Sequence, residues 1–353
     1  MKPSPGGFLK IASCLVVVGL SGRSLAEVPI NIYGNTDYAI TKKDGRTSGT
    51  FSVPMVDVFA TQQLDRIHFL TEIVLEAGED TNEFAIDVER LQVDYQATSW
   101  LRVAAGRFHT AMGYYNDAFH HGAYFVLPVG RPEMVEFEDG GGLIPAHSVG
   151  LHADGRIAFS EKLRLRYDFE LANGRGVSST SVANVQDANR SKAMNVRLRL
   201  EPGGLLDGLL LGANGYIDRI PPDATGASPD MKEVILGLHL AYFEHSVLLI
   251  SEMNVFRHEE VLSGVMHNTT AFFVEAGYQL GDFTPYVRYE ATKFPTSLDP
   301  YFVTAAAGSY KTGAVGVRWI ASGNLAFKLQ GRGKDYEVGG NIYDMNAQCA
   351  FAF

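Results

Sequence analysis

The densest chemistry in this chain lies between residues 107 and 147. Four carboxylates, Glu133, Glu136, Glu138 and Asp139, fall within seven residues and precede the glycines at 140–142. Oxygen ligands this close together suit a hard cation such as Ca²⁺. They also suit an anchoring role through Arg107 and Arg131, which is the better reading because buried charges are usually paired. Four histidines, His109, His120, His121 and His147, stand in or beside the same stretch. Zinc needs three or four converging ligands, and adjacent residues such as His120 and His121 often point apart. Packing and hydrogen bonding are therefore expected of them, with no metal and no cofactor. Tyr114, Tyr115, Phe119, Tyr124 and Phe125 offer either a stacking surface for sugars or a small internal core. Gly113 and Gly122 beside them favour the core, since they fit tight turns. The glycines are no phosphate cradle, because no strand–glycine–helix unit surrounds them.

A second set of charges is spaced every other residue. In 163–171, Leu163, Leu165, Tyr167, Phe169 and Leu171 point one way and Arg164, Arg166, Asp168 and Glu170 the other. Ile67, Phe69, Ile73 and Leu75 oppose Arg66, His68, Glu72 and Glu76; Met194, Val196, Leu198 and Leu200 oppose Asn195, Arg197 and Arg199. One face suits lipid and the other water, the pattern of a transmembrane β-barrel. By this parity Arg102, Arg164, Arg166, Arg197, Arg199, Arg288 and Arg332 face inward. So do Glu72, Glu76, Asp87, Glu89, Asp168, Glu170, Glu275 and Glu290. Such a lining either pairs across strands and keeps a wide barrel wet and rigid, or sets an arginine wall against the acidic segment and sorts ions.

The elements that position these residues are sixteen alternating segments, near 30–41, 51–60, 66–77, 83–96, 100–108, 147–158, 162–172, 193–201, 207–218, 233–243, 246–256, 270–280, 283–293, 312–320, 324–332 and 346–353. The phase slips once, at Glu89-Arg90, as a β-bulge would make it. Pro54 interrupts the second segment, and Pro285 requires a strand end or bulge. Connections are alternately short and long, the long set being 42–50, 78–82, 109–146, 173–192, 219–232, 257–269, 294–311 and 333–345. Outer-membrane barrels have short periplasmic turns and longer outside loops. The expected fold is an all-β, antiparallel transmembrane barrel of about sixteen strands, one domain over residues 27–353, with the third outside loop, 109–146, folded into the lumen. Tyr33, Trp100, Tyr167, Tyr242, Tyr289 and Trp319 read as interfacial girdles.

The ends and composition agree. Lys2 and Lys10, an apolar run over 11–20 and Ser24-Leu25-Ala26 read as a cleaved secretory signal over residues 1–26. Of 30 basic and 40 acidic residues, this leader holds three basic and no acidic ones, leaving 27 against 40, a net −13 that excludes nucleic acid as a partner. Cys349 is then the sole mature cysteine, so no intrachain disulfide forms.

Residues 90–151, with Gly106-Arg107-Phe108-His109-Thr110, Tyr114-Tyr115-Asn116, His120-His121-Gly122 and Phe137-Glu138-Asp139-Gly140-Gly141-Gly142, look like a group of proteobacterial outer-membrane proteins. That group resembles the phosphate-selective porin (types O and P) superfamily. The motif-bearing part is about a sixth of the chain, and the rest matches in architecture. The resemblance implies a channel and a homotrimer. Phosphate-selective porins have lysine-rich constrictions, whereas residues 109–146 contain no lysine. The expected function is passive diffusion of small hydrophilic solutes or ions through an outer-membrane pore surrounded by lipid. A barrel hydrolase and a plugged structural barrel are the alternatives. No Gly-x-Ser-x-Gly motif is present.

Overall fold

The computed structural model describes residues 28–77, 83–119, 122–181, 185–187, 189–223, 228–302 and 308–353. The expected leader lies outside the described residues. The strands in order are β1 (Ile30–Lys43), β2 (Arg46–Ser52), β3 (Met55–Leu64), β4 (Ile67–Ala77), β5 (Phe84–Thr98) and β6 (Leu101–His109). After residues 110–146 come β7 (His147–Ser160), β8 (Leu163–Asn173), β9 (Lys192–Pro202), β10 (Leu209–Ile220), β11 (Met231–Glu244) and β12 (Val247–Glu260). The chain ends with β13 (Met266–Tyr278), β14 (Phe283–Lys293), β15 (Tyr310–Ser322), β16 (Leu325–Tyr336) and β17 (Ile342–Ala352).

Apart from β2 and β3, which both pair with β1, each strand pairs antiparallel with its chain neighbours, and β1 pairs with β17, which closes the sheet. Both β2 and β3 pair with β1, β2 along Asp37–Lys43 and β3 along Ile30–Gly34. They are two halves of one barrel strand broken at Pro54, whose missing N–H cannot continue the ladder. The barrel therefore has sixteen strands. The phase slip is also present: Val88 faces Ile73 and Arg90 faces Glu72, leaving Glu89 as the extra residue.

Three outside connections are shorter than expected. Residues 42–50 are not a loop: β1 and β2 continue to a two-residue turn, Asp44-Gly45, with φ of 49° and 74°. Asp-Gly readily adopts positive φ at both central positions, the geometry that joins right-twisted strands. The connections after β12 and β16 likewise shorten to 261–265 and 337–341, because the hairpins keep pairing beyond the alternating band.

Burial follows parity. Ile67, Phe69, Ile73 and Leu75 are exposed while Leu70, Glu72 and Val74 of the same strand are buried. Inward positions near the long connections of β10–β15 break the polar rule. Tyr216, Ile220, Met231, Ile235, Ile250, Phe256, Phe273 and Tyr310 form a buried apolar cluster inside the barrel.

Candidate functional site

The 110–146 segment leaves and re-enters the sheet at one point. His109 pairs with His147, and the Thr110 amide donates to the Ala146 carbonyl at 3.0 Å. The Asn116 side-chain amide donates to the carbonyls of Thr110 and Ala146, each at 3.0 Å, and ties the stem together. Beyond it lie one helical turn, α1 (Tyr115–Ala118), and a 3-10 turn at Glu133–Val135.

Inward side chains of strands far apart in the barrel hold the segment by its backbone. Carboxylates accept its amides: Glu170 takes Ala111 at 2.7 Å, Glu252 takes Tyr114 and Tyr115 at 2.8 and 2.5 Å, and Glu290 takes Glu133 at 2.6 Å. Cations donate to its carbonyls: Arg197 to Gly113 at 2.8 Å, Arg288 to Gly130 at 2.9 Å, Arg318 to Tyr124 at 2.6 Å, and Lys328 to Ala123 and Pro128 at 2.6 and 3.0 Å. The Gln330 side chain both accepts from and donates to Val129, at 3.0 and 3.1 Å. The irregular backbone thereby finds the partners that a buried segment requires. Charged partners make these bonds strong.

The aromatic residues serve packing. Tyr114 and Tyr115 each contact Phe119, and Tyr115 and Tyr114 meet Phe273 and Phe243 of the wall. Met112, Val126, Met134, Val135, Leu143 and Ile144 join the same cluster. Each such buried side chain contributes about 1.5–3 kcal/mol relative to an exposed one. Tyr124 and Phe125 form a second group with Tyr33. Tyr33 faces inward and is not a girdle residue.

The candidate residues of the segment divide as follows. Arg107 is buried and donates to the Glu89 carbonyl at 3.0 Å. His109 lies 3.7 Å from Glu72, and His147 is paired with Glu89. Arg131 sits inside the segment: it donates to the Val135 carbonyl at 2.6 Å and to Asn116 at 3.2 Å, and it stacks on Phe137 and Tyr115. Glu133 pairs with Lys334 and accepts from Thr312 at 3.0 Å. Glu136 accepts from Phe137 at 3.3 Å, and exposed Asp139 caps Gly140 at 2.9 Å. His120 and His121 lie outside the described residues. Among the described residues no group of three or more His, Cys, Asp or Glu is placed to hold a metal.

Glu138 is buried and accepts from the Ala146 amide at 2.8 Å. Burial pushes its carboxyl up to about 7, against the pull of Arg175, that amide and Arg107. A carboxyl raised on folding stabilises fully below its unfolded value, and the contribution is lost as pH rises through the folded one. Wild-type protein therefore loses thermal stability in detergent from pH 6 to 8 by more than the Glu138→Gln variant does. Identical pH profiles for the two in melting experiments count against this assignment.

The wall charges are largely paired across strands. Glu72 pairs with Arg90, and Arg102 with Asp154 at 2.8 Å and Asp94 at 3.3 Å. Arg164, at 3.2 Å, and Arg166 both hold Glu201. Arg197 and Arg199 hold Asp168 at 2.9 and 3.0 Å and share Asp117 of α1 at 2.8 and 3.5 Å. Asp87 is half-buried and accepts from Val88 at 2.7 Å; Glu76 is half-buried and pairs in register with Met55. Sequence reading missed Asp117, Glu252, Lys328 and Arg318. The available signal was β11, whose inward parity holds the apolar Ile235 and Ala241 beside Gly237, a face that needs cover inside the barrel.

No family model matches the chain, and no curated protein does. Solved structures share its architecture. OprB of Pseudomonas putida aligns with TM-score 0.60 and 9% identity over 93% of this chain and 94% of that one. The outer membrane channel DcaP of Acinetobacter baumannii gives 0.59 and 11% over 94% and 99%. A loop L8 deletion mutant of OmpT, an outer membrane protein of Vibrio cholerae, gives 0.58 and 12% over 92% and 99%. The chain has the fold of an integral outer-membrane barrel of Gram-negative bacteria. At these identities the likeness extends to the fold, and the 110–146 segment must be read from its own contacts.

Proposed function

We propose that this protein is a passive porin, through which small hydrophilic solutes or ions diffuse along a lumen narrowed by residues 109–146. The observation that carries this reading is the backbone anchoring of that segment to inward side chains of β8 through β16, with charged residues left accessible on the wall of β6–β8. Anchors spread over so much of the circumference support a segment lying across the lumen rather than above it. The accessible inward charges of β6–β8, among them Arg102, Arg164 and Arg166, support a water-filled path beside it. Polar groups of this kind are costly in a dry interior and cheap in a wet one.

A phosphate-selective constriction is not part of the proposal. The two lysines that reach the segment are committed, Lys328 to backbone carbonyls and Lys334 to Glu133. A homotrimer is proposed from the resemblance; a trimer form is described for OmpT of Vibrio cholerae. Planar-bilayer recording of the purified protein tests the reading. Discrete ohmic steps, inserted in groups of three, are expected. Bilayers that stay silent, together with turnover of an ester, peptide or lipid substrate, would reverse it in favour of a barrel hydrolase.

A further inference from the structure

We propose that residues 294–302 are an outer lid, latched by a proton on His258, and that this latch governs how firmly residues 110–146 are held in the lumen. The inference rests on the pore reading above and adds its regulation.

The chain that follows β14 folds back over the inner face of the barrel. Phe294, Asp299, Tyr301 and Phe302 are buried, whereas Leu298 is 58% exposed. Phe302 packs on Phe256 and His258 of β12, with ring centroids 5.6 and 4.9 Å apart, and His258 also meets Tyr301 at 5.5 Å. One side of this stretch thus belongs to the apolar cluster that packs on the inserted segment, and the other faces water.

His258 is its fixed point. The Nδ1 lies 2.7 Å from the Asp299 carboxylate of the lid, and the Nε2 lies 2.9 Å from Glu233 of β11. An imidazole donates from both nitrogens only when it carries the extra proton. Glu233 in turn accepts from Arg175 at 3.2 Å, and the same guanidinium donates to the Leu143 carbonyl. An unbroken run of polar contacts therefore joins the lid to the segment that narrows the pore. Tyr301 adds a second tie: its hydroxyl donates to the Gly176 carbonyl at 3.2 Å, and its ring lies 5.5 Å from the Arg175 guanidinium.

The surrounding charges make the proton necessary. His267 of β13 stands directly opposite His258 and contacts the Ser297 carbonyl at 3.4 Å and Glu260 at 3.0 Å. Asp218 of β10 stands opposite Glu233 and accepts the Arg175 amide at 2.6 Å. With both histidines protonated, Arg175, His258 and His267 face four acids, Glu233, Asp299, Glu260 and Asp218. Glu138, which Arg175 also attracts, adds a fifth as it ionises. Acids already outnumber cations, so losing the His258 proton leaves further uncompensated negative charge in a buried place.

His258 lies beyond the alternating stretch 246–256, at a level where Arg257 is exposed and Glu259 pairs with Lys232 at 3.1 Å on the outer face. Against the downward push of burial, Asp299 and Glu233 lift its imidazole from the ordinary 6.5 to about 9. A group raised in the closed state contributes fully below its ordinary value, and the contribution is lost as pH rises through the closed-state one. Neutral and mildly acidic media hold the lid shut, and alkali releases it.

Chymotrypsin reads the lid without reference to conduction, because Tyr301 and Phe302 are cleavage sites that the closed state buries. In detergent, cleavage of wild type after these two residues is followed by mass spectrometry and normalised to a control peptide. It rises about tenfold per pH unit from pH 7 to 9, since opening releases one proton. His258→Gln is cut at pH 7 as fast as wild type near pH 9, and its rate is flat with pH. Should that variant not assemble, Asp299→Asn carries the test, since the residue lies outside the sheet; it is cut faster than wild type at pH 7 and with a shallower slope. In planar bilayers the same rise in pH makes wild-type current flicker as Arg175 loosens on Leu143, and His258→Gln flickers at every pH. Wild-type cleavage that is unchanged from pH 7 to 9, or variants that follow the wild-type course, overturn the latch and leave the pore standing. The expected cleavage with steady current overturns the coupling to residues 110–146. The expected cleavage with silent bilayers overturns the pore reading instead.

Discussion

Excising residues 111–142 and joining Thr110 to Leu143 through a short glycine linker at least roughly doubles the single-channel conductance, because a sixteen-stranded barrel is wide enough to hold an open aqueous channel. The geometry of the stem allows the excision. Thr110 and Ala146 are already hydrogen-bonded, so the ends are adjacent and the linker need not strain β6 or β7. The ladder does not depend on the segment, since every strand finds its partners in the sheet. What is lost is one side of the apolar cluster: Ile235, Phe256 and Phe273 then face water. The shortened protein should be less heat-resistant while still closing as a barrel. Conductance equal to wild type would mean that the segment does not narrow the pore.

Replacing Arg197 by alanine costs about 3–5 kcal/mol, the range for removing one partner of a buried ion pair. Its side chain is 1% exposed and makes two bonds to Asp168, at 2.9 and 3.0 Å, besides the bond to Gly113. Without it the buried Asp168 keeps, among the described residues, Arg199 and His152. Asp117 is half-exposed, so losing that contact adds little. The same guanidinium holds the start of the inserted segment, so the conductance of Arg197→Ala channels becomes noisier as well. The midpoint for loss of the folded, heat-modifiable band reads the stability term. Arg197→Lys recovers part of it, since an ammonium supplies charge without the fork. A midpoint equal to wild type would show that this pair is not a clamp.

Much of the fold was legible because period two is a local property. Whether Leu165 or Arg166 faces lipid follows from the pleat alone, and so does the slip at Glu89, where one extra residue inverts the phase. The broken second strand was legible from Pro54, but not its continuation to Asp44-Gly45, which shows no apolar alternation because it stands outside the band that needs any. The site was less legible. Glu252, Glu290, Arg288 and Lys328 bind backbone amides and carbonyls of the inserted segment, and a main-chain partner leaves no mark in residue type. Anchoring was the better reading of the acidic run from spacing, but its partners were not legible: Glu133 faces Lys334 and Glu138 the Ala146 amide, where spacing had offered Arg107 and Arg131.

Alternation along the chain by itself determined an antiparallel barrel of sixteen strands, the side on which each charge stands, and a long third connection. Tertiary closure decided which charges meet: that Asp117 reaches Arg197 and Arg199, and that apolar residues of β10–β15 turn inward to cover the segment. The physical reason is that parity is set between neighbouring residues, whereas position around the circumference and distance across the lumen exist only once β1 has paired with β17.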